Sequence, residues 1–118
     1  MSSPKYDLED RTLRFAKSVR RFLARLPQSA ANTIDIAQLA RSSGSIGANY
    51  CEANDALGKK DFLMRVRIAR KEAKESRYWL QLIDVGECAD LERERASLVD
   101  EAGQLVRILS KILVNAGE

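Results

Sequence analysis

The stretch from Leu39 to Leu57, LARSSGSIGANYCEANDAL, decides the fold. Leu39, Ser43, Ile46, Tyr50, Ala53 and Leu57 recur at alternating steps of four and three. That heptad spacing lays one face of an α-helix along a neighbouring helix. Gly44 and Gly47 interrupt the composition but not the period. Each costs up to about 1 kcal/mol relative to Ala in a helix interior. A stripe that keeps its phase through two such residues points to close approach of another helix. The spacing therefore predicts a helix from Asn32 or Thr33 to Leu57, stopped by Gly58.

Three further stretches repeat the pattern on either side. From Leu8 to Leu26 the stripe is Leu8, Thr12, Phe15, Val19, Phe22 and Leu26. Asp7 is placed to cap its N-terminus, Glu9 and Asp10 suit the first turn, and Pro27 ends it. From Lys60 to Val85 the stripe is Phe62, Val66, Ala69, Ala73, Ser76, Leu80 and Ile83, with Gly86 beyond. From Ala89 to Ala116 it is Leu91, Leu98, Ala102, Leu105, Leu109, Ile112 and Ala116, widened by Val99, Val106 and Leu113. Four helices of similar length with short connections predict an all-α, antiparallel up-down four-helix bundle filling residues 1–118 as a single domain.

Composition narrows the function. The chain of 118 residues contains no histidine, which excludes a Ser-His-Asp triad, a Cys-His dyad and any His-ligated metal or haem. Cys51 and Cys88 are too few for a disulfide framework and fit no metal spacing. No metal or cofactor is expected. No run approaches the roughly 18 apolar residues of a membrane span, and the opening MSSPKYDLEDR has no apolar signal core. A cytoplasmic protein without membrane contact is the expectation. The net charge of +3 conceals strong local asymmetry. The first helical stretch carries +4, the segment 59–80 carries +5 and the segment 84–101 carries −5.

Three groups of residues are candidates for function. The first is a polar stripe, Arg41, Ser45, Asn49 and Glu52, on one face of the second helix beside its apolar stripe. If the second and third helices fold back about Gly58 and Lys59, Arg41 comes level with Glu75 or Ser76, Ser45 with Glu72, and Glu52 with Arg65. That stripe is either a solvated charged face or a partly buried polar seam with Glu72 and Glu75 that fixes helix register. The second group is basic: Arg14, Lys17, Arg21 and Arg25 on the first helix, and Lys60, Arg67, Arg70, Lys71 and Lys74 on the third, bordered by Tyr78. Its chemistry suits nucleic-acid phosphates, contacted through the backbone with little sequence preference. The third is an apolar flank of Met64, Ile68, Trp79 and Leu82, with Leu13, Ile108 and Val114 also off their stripes. It is either a wide buried face or a surface for self-association. A carboxylate enzyme built on Glu72 and Glu75 is the weakest reading, because no nucleophile–base pair accompanies them.

The run Arg41-Ser42-Ser43-Gly44-Ser45-Ile46-Gly47-Ala48-Asn49-Tyr50-Cys51-Glu52-Ala53 resembles the signature of the four-helix bundle family named after the 23S rRNA intervening-sequence protein. So do Lys60-Asp61-Phe62, Ile68-Ala69-Arg70-Lys71-Glu72-Ala73, Glu75-Ser76-Arg77-Tyr78-Trp79-Leu80 and the opening Tyr6-Asp7-Leu8-Glu9 to Phe15-Ala16. The resemblance covers nearly the whole chain and departs at Tyr50-Cys51, where aliphatic or basic residues are frequent. It implies an antiparallel bundle assembling as a homopentamer, of largely unknown biochemical role. Members are encoded in intervening sequences of bacterial large-subunit ribosomal RNA genes and elsewhere. A similar bundle, the accessory protein of diversity-generating retroelements, binds nucleic acid and a reverse transcriptase through a basic surface. The family's recurring polar positions carry over onto Arg41, Ser45, Asn49 and Glu52, and its acidic pair onto Glu72 and Glu75. The expectation is a non-enzymatic oligomer that binds RNA or other nucleic acid. The alternative is a scaffold that recognises a protein partner through exposed helix faces or the acidic segment between Glu87 and Glu101.

Overall fold

Helices α1 (Pro4–Leu23), α2 (Ala30–Asn54), α3 (Lys59–Leu82) and α4 (Ala89–Asn115) make up the computed structural model. It describes the backbone of residues 4–118 and the side chains of residues 7–118. Among the described residues there is no strand. The Tyr6 side chain, quoted in the opening motif, lies outside them.

Pro4 is the first described residue of α1, and its missing N–H is tolerated in a first turn. Asp7 is therefore inside the first turn and is not the N-cap expected from the sequence. The helix loosens after Leu23 into a turn closed by Arg25 N–H to Phe22 O and Leu26 N–H to Leu23 O. Ser29 caps α2, its Oγ accepting from the Asn32 N–H at 3.0 Å, so α2 begins two to three residues earlier than the apolar stripe indicates.

Two helix ends fall short of their predicted positions. α2 stops at Asn54, and Leu57 is fully exposed in the reversal rather than the last step of the buried stripe. The hairpin needs those residues to turn, and Gly58 becomes the N-cap of α3 instead of the stop of α2. α3 stops at Leu82, with Ile83 in extended backbone. Ile83 and Val85 remain buried, so the apolar pattern runs on into the loop and disguises the helix end. Gly86 then turns the chain at φ 69°, a left-handed conformation that favours glycine.

Neighbours in sequence are neighbours in space. α1 packs on α2, α2 on α3, α3 on α4 and α4 back on α1, while the backbones of the diagonal pairs stay apart. Register shows each adjacent pair to be antiparallel: Thr12 faces Gly47 and Glu9 reaches Asn54, while Arg11 reaches Glu101 and Arg25 reaches Glu94. The core is the union of the four stripes. Phe15, Val19, Phe22, Leu39, Ile46, Val66, Leu80, Leu105 and Leu109 are all buried. On α4 the buried position shifts from Ile112, half-buried, to Leu113, fully buried, as expected when a 3.6-residue turn drifts against a strict heptad.

Two polar details hold the frame. A Cβ built at Gly47 would lie 2.8 Å from Thr12 Oγ1 and 3.2 Å from Thr12 Cβ. Gly47 is thus the point of close α1–α2 approach that the unbroken period indicated. Gly44 is not: its nearest neighbour would be Arg20 Nη2 at 3.8 Å. At one end of the bundle the buried Asn32 side chain donates to Pro27 O and Asp84 O, both at 2.8 Å, and accepts from the Asp84 N–H at 3.1 Å. One amide therefore ties the α1–α2 connection to the α3–α4 connection.

Candidate nucleic-acid interface

The α2–α3 seam is the polar ladder, partly buried. Arg41 Nη1 donates to Glu72 Oε2 at 2.8 Å, and Arg41 Nη2 to Glu75 Oε2 at 2.9 Å. The Glu72 side chain is 7% exposed and that of Arg41 53%, so a carboxylate in the interior is met by a guanidinium at the rim. Hydrogen bonding to Glu72, outweighing partial desolvation, raises the Arg41 pKa above its ordinary value. One turn inward, Ser42 Oγ and Ser76 Oγ share a hydrogen bond of 2.9 Å. Ser45 faces its own helix rather than Glu72, accepting from Asn49 Nδ2 through both Oγ and carbonyl oxygen. The expected Glu52–Arg65 pair does not form. Arg65 Nη1 reaches Asn49 Oδ1 at 3.3 Å, its Nε stands 4.0 Å from Asp61, and Glu52 remains exposed.

The basic residues fall into two separated strips, because α1 and α3 occupy diagonal corners. The α1 strip leans against the acidic flank of α4. Arg25 pairs with Glu94 at 2.5 Å, and Arg11 grips Glu101 through Nε and Nη2 at 2.7 and 2.8 Å. The Glu101 hydrogen bond raises the Arg11 pKa. Arg14 pairs with Asp10 on its own helix, and Arg21 donates to Ser18. Lys17, across the helix, borders a groove of about 760 Å³ between α1 and α2, where Leu13, Ala16, Gly44 and Ala48 leave space between side chains. The acidic segment 84–101 and the first basic segment therefore neutralise one another in part, a pairing that helix order alone does not reveal.

The α3–α4 strip keeps more free charge. At one end Glu118 engages Arg67 at 2.7 Å and Arg70 at 3.6 Å, and hydrogen bonding to Arg67 holds its carboxyl below the usual carboxylate range. Lys60, Lys71 and Lys74 are exposed and, among the described residues, have no carboxylate partner. Two cations that the sequence reading passed over complete the strip. Arg77 on α3 and Arg107 on α4 lie on either side of the buried Gly103 and likewise have no partner among the described residues. Their signal in the sequence was a glycine in mid-α4 with an arginine one turn later. It gains meaning only once α3 is placed beside it.

Chemically the surface offers cations and hydrogen-bond donors. Among the described residues no three His, Cys, Asp or Glu side chains converge as a metal site, and no helix is long and apolar enough to cross a membrane. Cys51 and Cys88 are free thiols.

A model of the family described as 23S rRNA-intervening sequence protein matches residues 5–111. This chain belongs to that family. A similar structure has been solved for a protein of unknown function from the S23 ribosomal protein family of Bacteroides thetaiotaomicron VPI-5482. That chain is 30% identical to this one and superposes with a TM-score of 0.76, the match covering 89% of this chain and 96% of the other. No curated protein matches the chain. The family match spans the polar stripe, the basic residues and the apolar flank of α3, and it includes Arg107 on α4.

Proposed function

We propose that this member of the family is a non-enzymatic, self-associating bundle that binds RNA or other nucleic acid through phosphate contacts on its α3–α4 face. The observation that carries the reading is the run of unpaired cations there, Lys71, Lys74, Arg77 and Arg107. An exposed cation with no carboxylate beside it exchanges only water and counterions for a phosphate, whereas Arg11, Arg25 and Arg41 must first leave a partner. The α1 strip is secondary because two of its four cations, Arg14 and Arg25, are already paired with Asp10 and Glu94, which leaves Lys17 and Arg21. The name of the family, which mentions 23S rRNA, agrees with an RNA partner. Self-association is supported by the outer face of α3, where Met64, Tyr78 and Leu82 are exposed. The pentameric number comes from the family resemblance.

Fluorescence anisotropy of a labelled single-stranded RNA tests the reading. The Lys71→Glu/Lys74→Glu variant should bind at least about tenfold more weakly at 0.1 M salt, and wild-type affinity should fall log-linearly as salt rises. Arg14→Glu/Arg21→Glu should cost less. Wild type that leaves the RNA unbound even at about 50 mM salt overturns the reading and leaves the protein-scaffold alternative.

A further inference from the structure

We infer that Arg77 and Arg107, closing over Gly103 at the α3–α4 seam, form a two-arginine clamp for a phosphomonoester dianion, such as the terminal phosphate of a strand. The inference sharpens the preceding reading by naming one site within the basic face.

A Cβ built at Gly103 would stand 3.7 Å from Arg77 Nη1 and 3.7 Å from Arg107 Nη1. The two guanidinium nitrogens are therefore at most about 7 Å apart, a gap that an oxyanion spans when it accepts a charge-assisted bond of about 2.8 Å from each side. Gly103 is buried beneath them and puts no side chain between the two guanidiniums.

The lack of a counter-ion sets the pair apart from nine of the other arginines; Arg20 and Arg21 share it, but they are consecutive residues on α1 and do not meet across a seam. Arg11, Arg14, Arg25, Arg41, Arg65, Arg67, Arg70, Arg93 and Arg95 each have a carboxylate within 4.0 Å. Arg77 and Arg107 have none among the described residues, although two different helices bring them together. The nearest acid one turn before Gly103 on α4 is Asp100, and Gln104 Nε2 donates to it at 2.7 Å. Arg70, about two helical turns earlier on α3, donates to Ser110 Oγ at 3.5 Å and faces Glu118. Two like charges held close without a counterion repel each other, and an anion between them relieves that repulsion. A phosphomonoester carries a charge of about −1.5 to −2 at neutral pH and matches two guanidiniums, whereas an internal phosphodiester supplies only one negative charge. Both guanidiniums can present paired N–H groups to such an ion, a geometry lysine lacks.

The test uses the full chain and two probes, inorganic phosphate and an oligoribonucleotide with either a 5′-phosphate or a 5′-hydroxyl. Phosphate should shift the Arg77 and Arg107 Nε–Hε resonances saturably, in wild type and equally in Lys71→Gln/Lys74→Gln. Arg77→Gln and Arg107→Gln should each weaken phosphate binding about tenfold. Gly103→Asp should abolish the phosphate response while leaving the circular dichroism intact, because its carboxylate occupies the gap. The 5′-phosphorylated strand should bind several-fold more tightly than its hydroxyl twin, and Arg77→Gln should erase that difference. Phosphate saturation without binding of either strand upholds the clamp, assigns it to a small phosphate compound and removes the nucleic-acid reading. Absence of any saturable phosphate shift, or strands bound equally by wild type and both glutamine variants, overturns the clamp. In the latter case the nucleic-acid reading stands without it.

Discussion

Glu72 shows what a single buried charge asks of its surroundings. Its carboxylate is 7% exposed, and the Arg41 guanidinium is the cation that reaches it, at 2.8 Å. Arg41→Ala would leave that charge in the interior without its counter-ion, a loss that costs 3–5 kcal/mol for fully buried pairs. Because Arg41 is itself half in water, about 2–3 kcal/mol is the expected loss, read as a lower urea midpoint at neutral pH. In a Glu72→Leu background the same Arg41→Ala change should cost well under 1 kcal/mol, since no buried carboxylate is then stranded. Equal losses in both backgrounds would mean that Arg41 stabilises through its aliphatic stem and not through the ion pair. The sequence showed Arg41, Glu72 and Glu75 as potential partners because heptad phase places all three beside the α2–α3 seam. It did not show that Glu72 is buried while Glu52 is exposed, because a shift of a few tens of degrees around a helix separates the two outcomes and residue type does not report it.

At the scale of the element, the two glycines of α2 answer differently to the same substitution. Gly47 lies against Thr12, whose hydroxyl is already committed to the carbonyls of Leu8 and Glu9 and has nowhere to move. Gly47→Ala must push α1 outward, and overpacking of this kind costs about 1–3 kcal/mol, more than the helix propensity it gains. Gly44 meets only the end of the flexible Arg20 side chain at 3.8 Å, so Gly44→Ala should stabilise the bundle by about 0.5–1 kcal/mol. Thermal unfolding of the two variants should thus move in opposite directions. A stabilised Gly47→Ala would show that the α1–α2 distance is not set by this contact. Period alone identified both glycines, but only the register of α1 against α2 separates the one that is needed from the one that is tolerated. The same limit explains the helix ends. Leu57 and Ile83 continue the spacing of their helices, yet the chain leaves the helix before each of them. Local reversal needs the backbone at Leu57 in the open, while Ile83 is buried from a loop. Asn32 was legible only as an approximate helix start. Its role as a tie between two connections depends on Asp84, 52 residues away.

For the molecule as a whole, the proposed RNA binding turns on the surface that α3 presents. Up-down topology puts α3 between α2 and α4, so its fourth side has no neighbour within the chain. That side carries Met64, Tyr78 and Leu82, each more than two-fifths exposed, with Ile68 and Trp79 at its margin. The sequence distinguished this flank from the core stripe by phase, and the structure leaves it uncovered in a single chain. Exposed apolar side chains gathered on one helix face, here with Lys71 and Glu75 among them, are characteristic of an interface. Met64→Lys/Leu82→Lys should therefore yield a monomer by light scattering while helicity and unfolding midpoint hold. The consequence for RNA binding is the sharper test. One chain offers only a few unpaired cations, enough for weak contact, and several copies on one strand gain about 10²–10⁴ in avidity if the geometry lets them engage together. The two lysines add positive charge, so electrostatics alone would tighten RNA binding in the variant. A loss of affinity despite that added charge can only come from lost multivalency. If the variant is monomeric and still binds RNA as tightly as wild type, each bundle acts alone, and the outer face of α3 belongs to some partner other than a second copy.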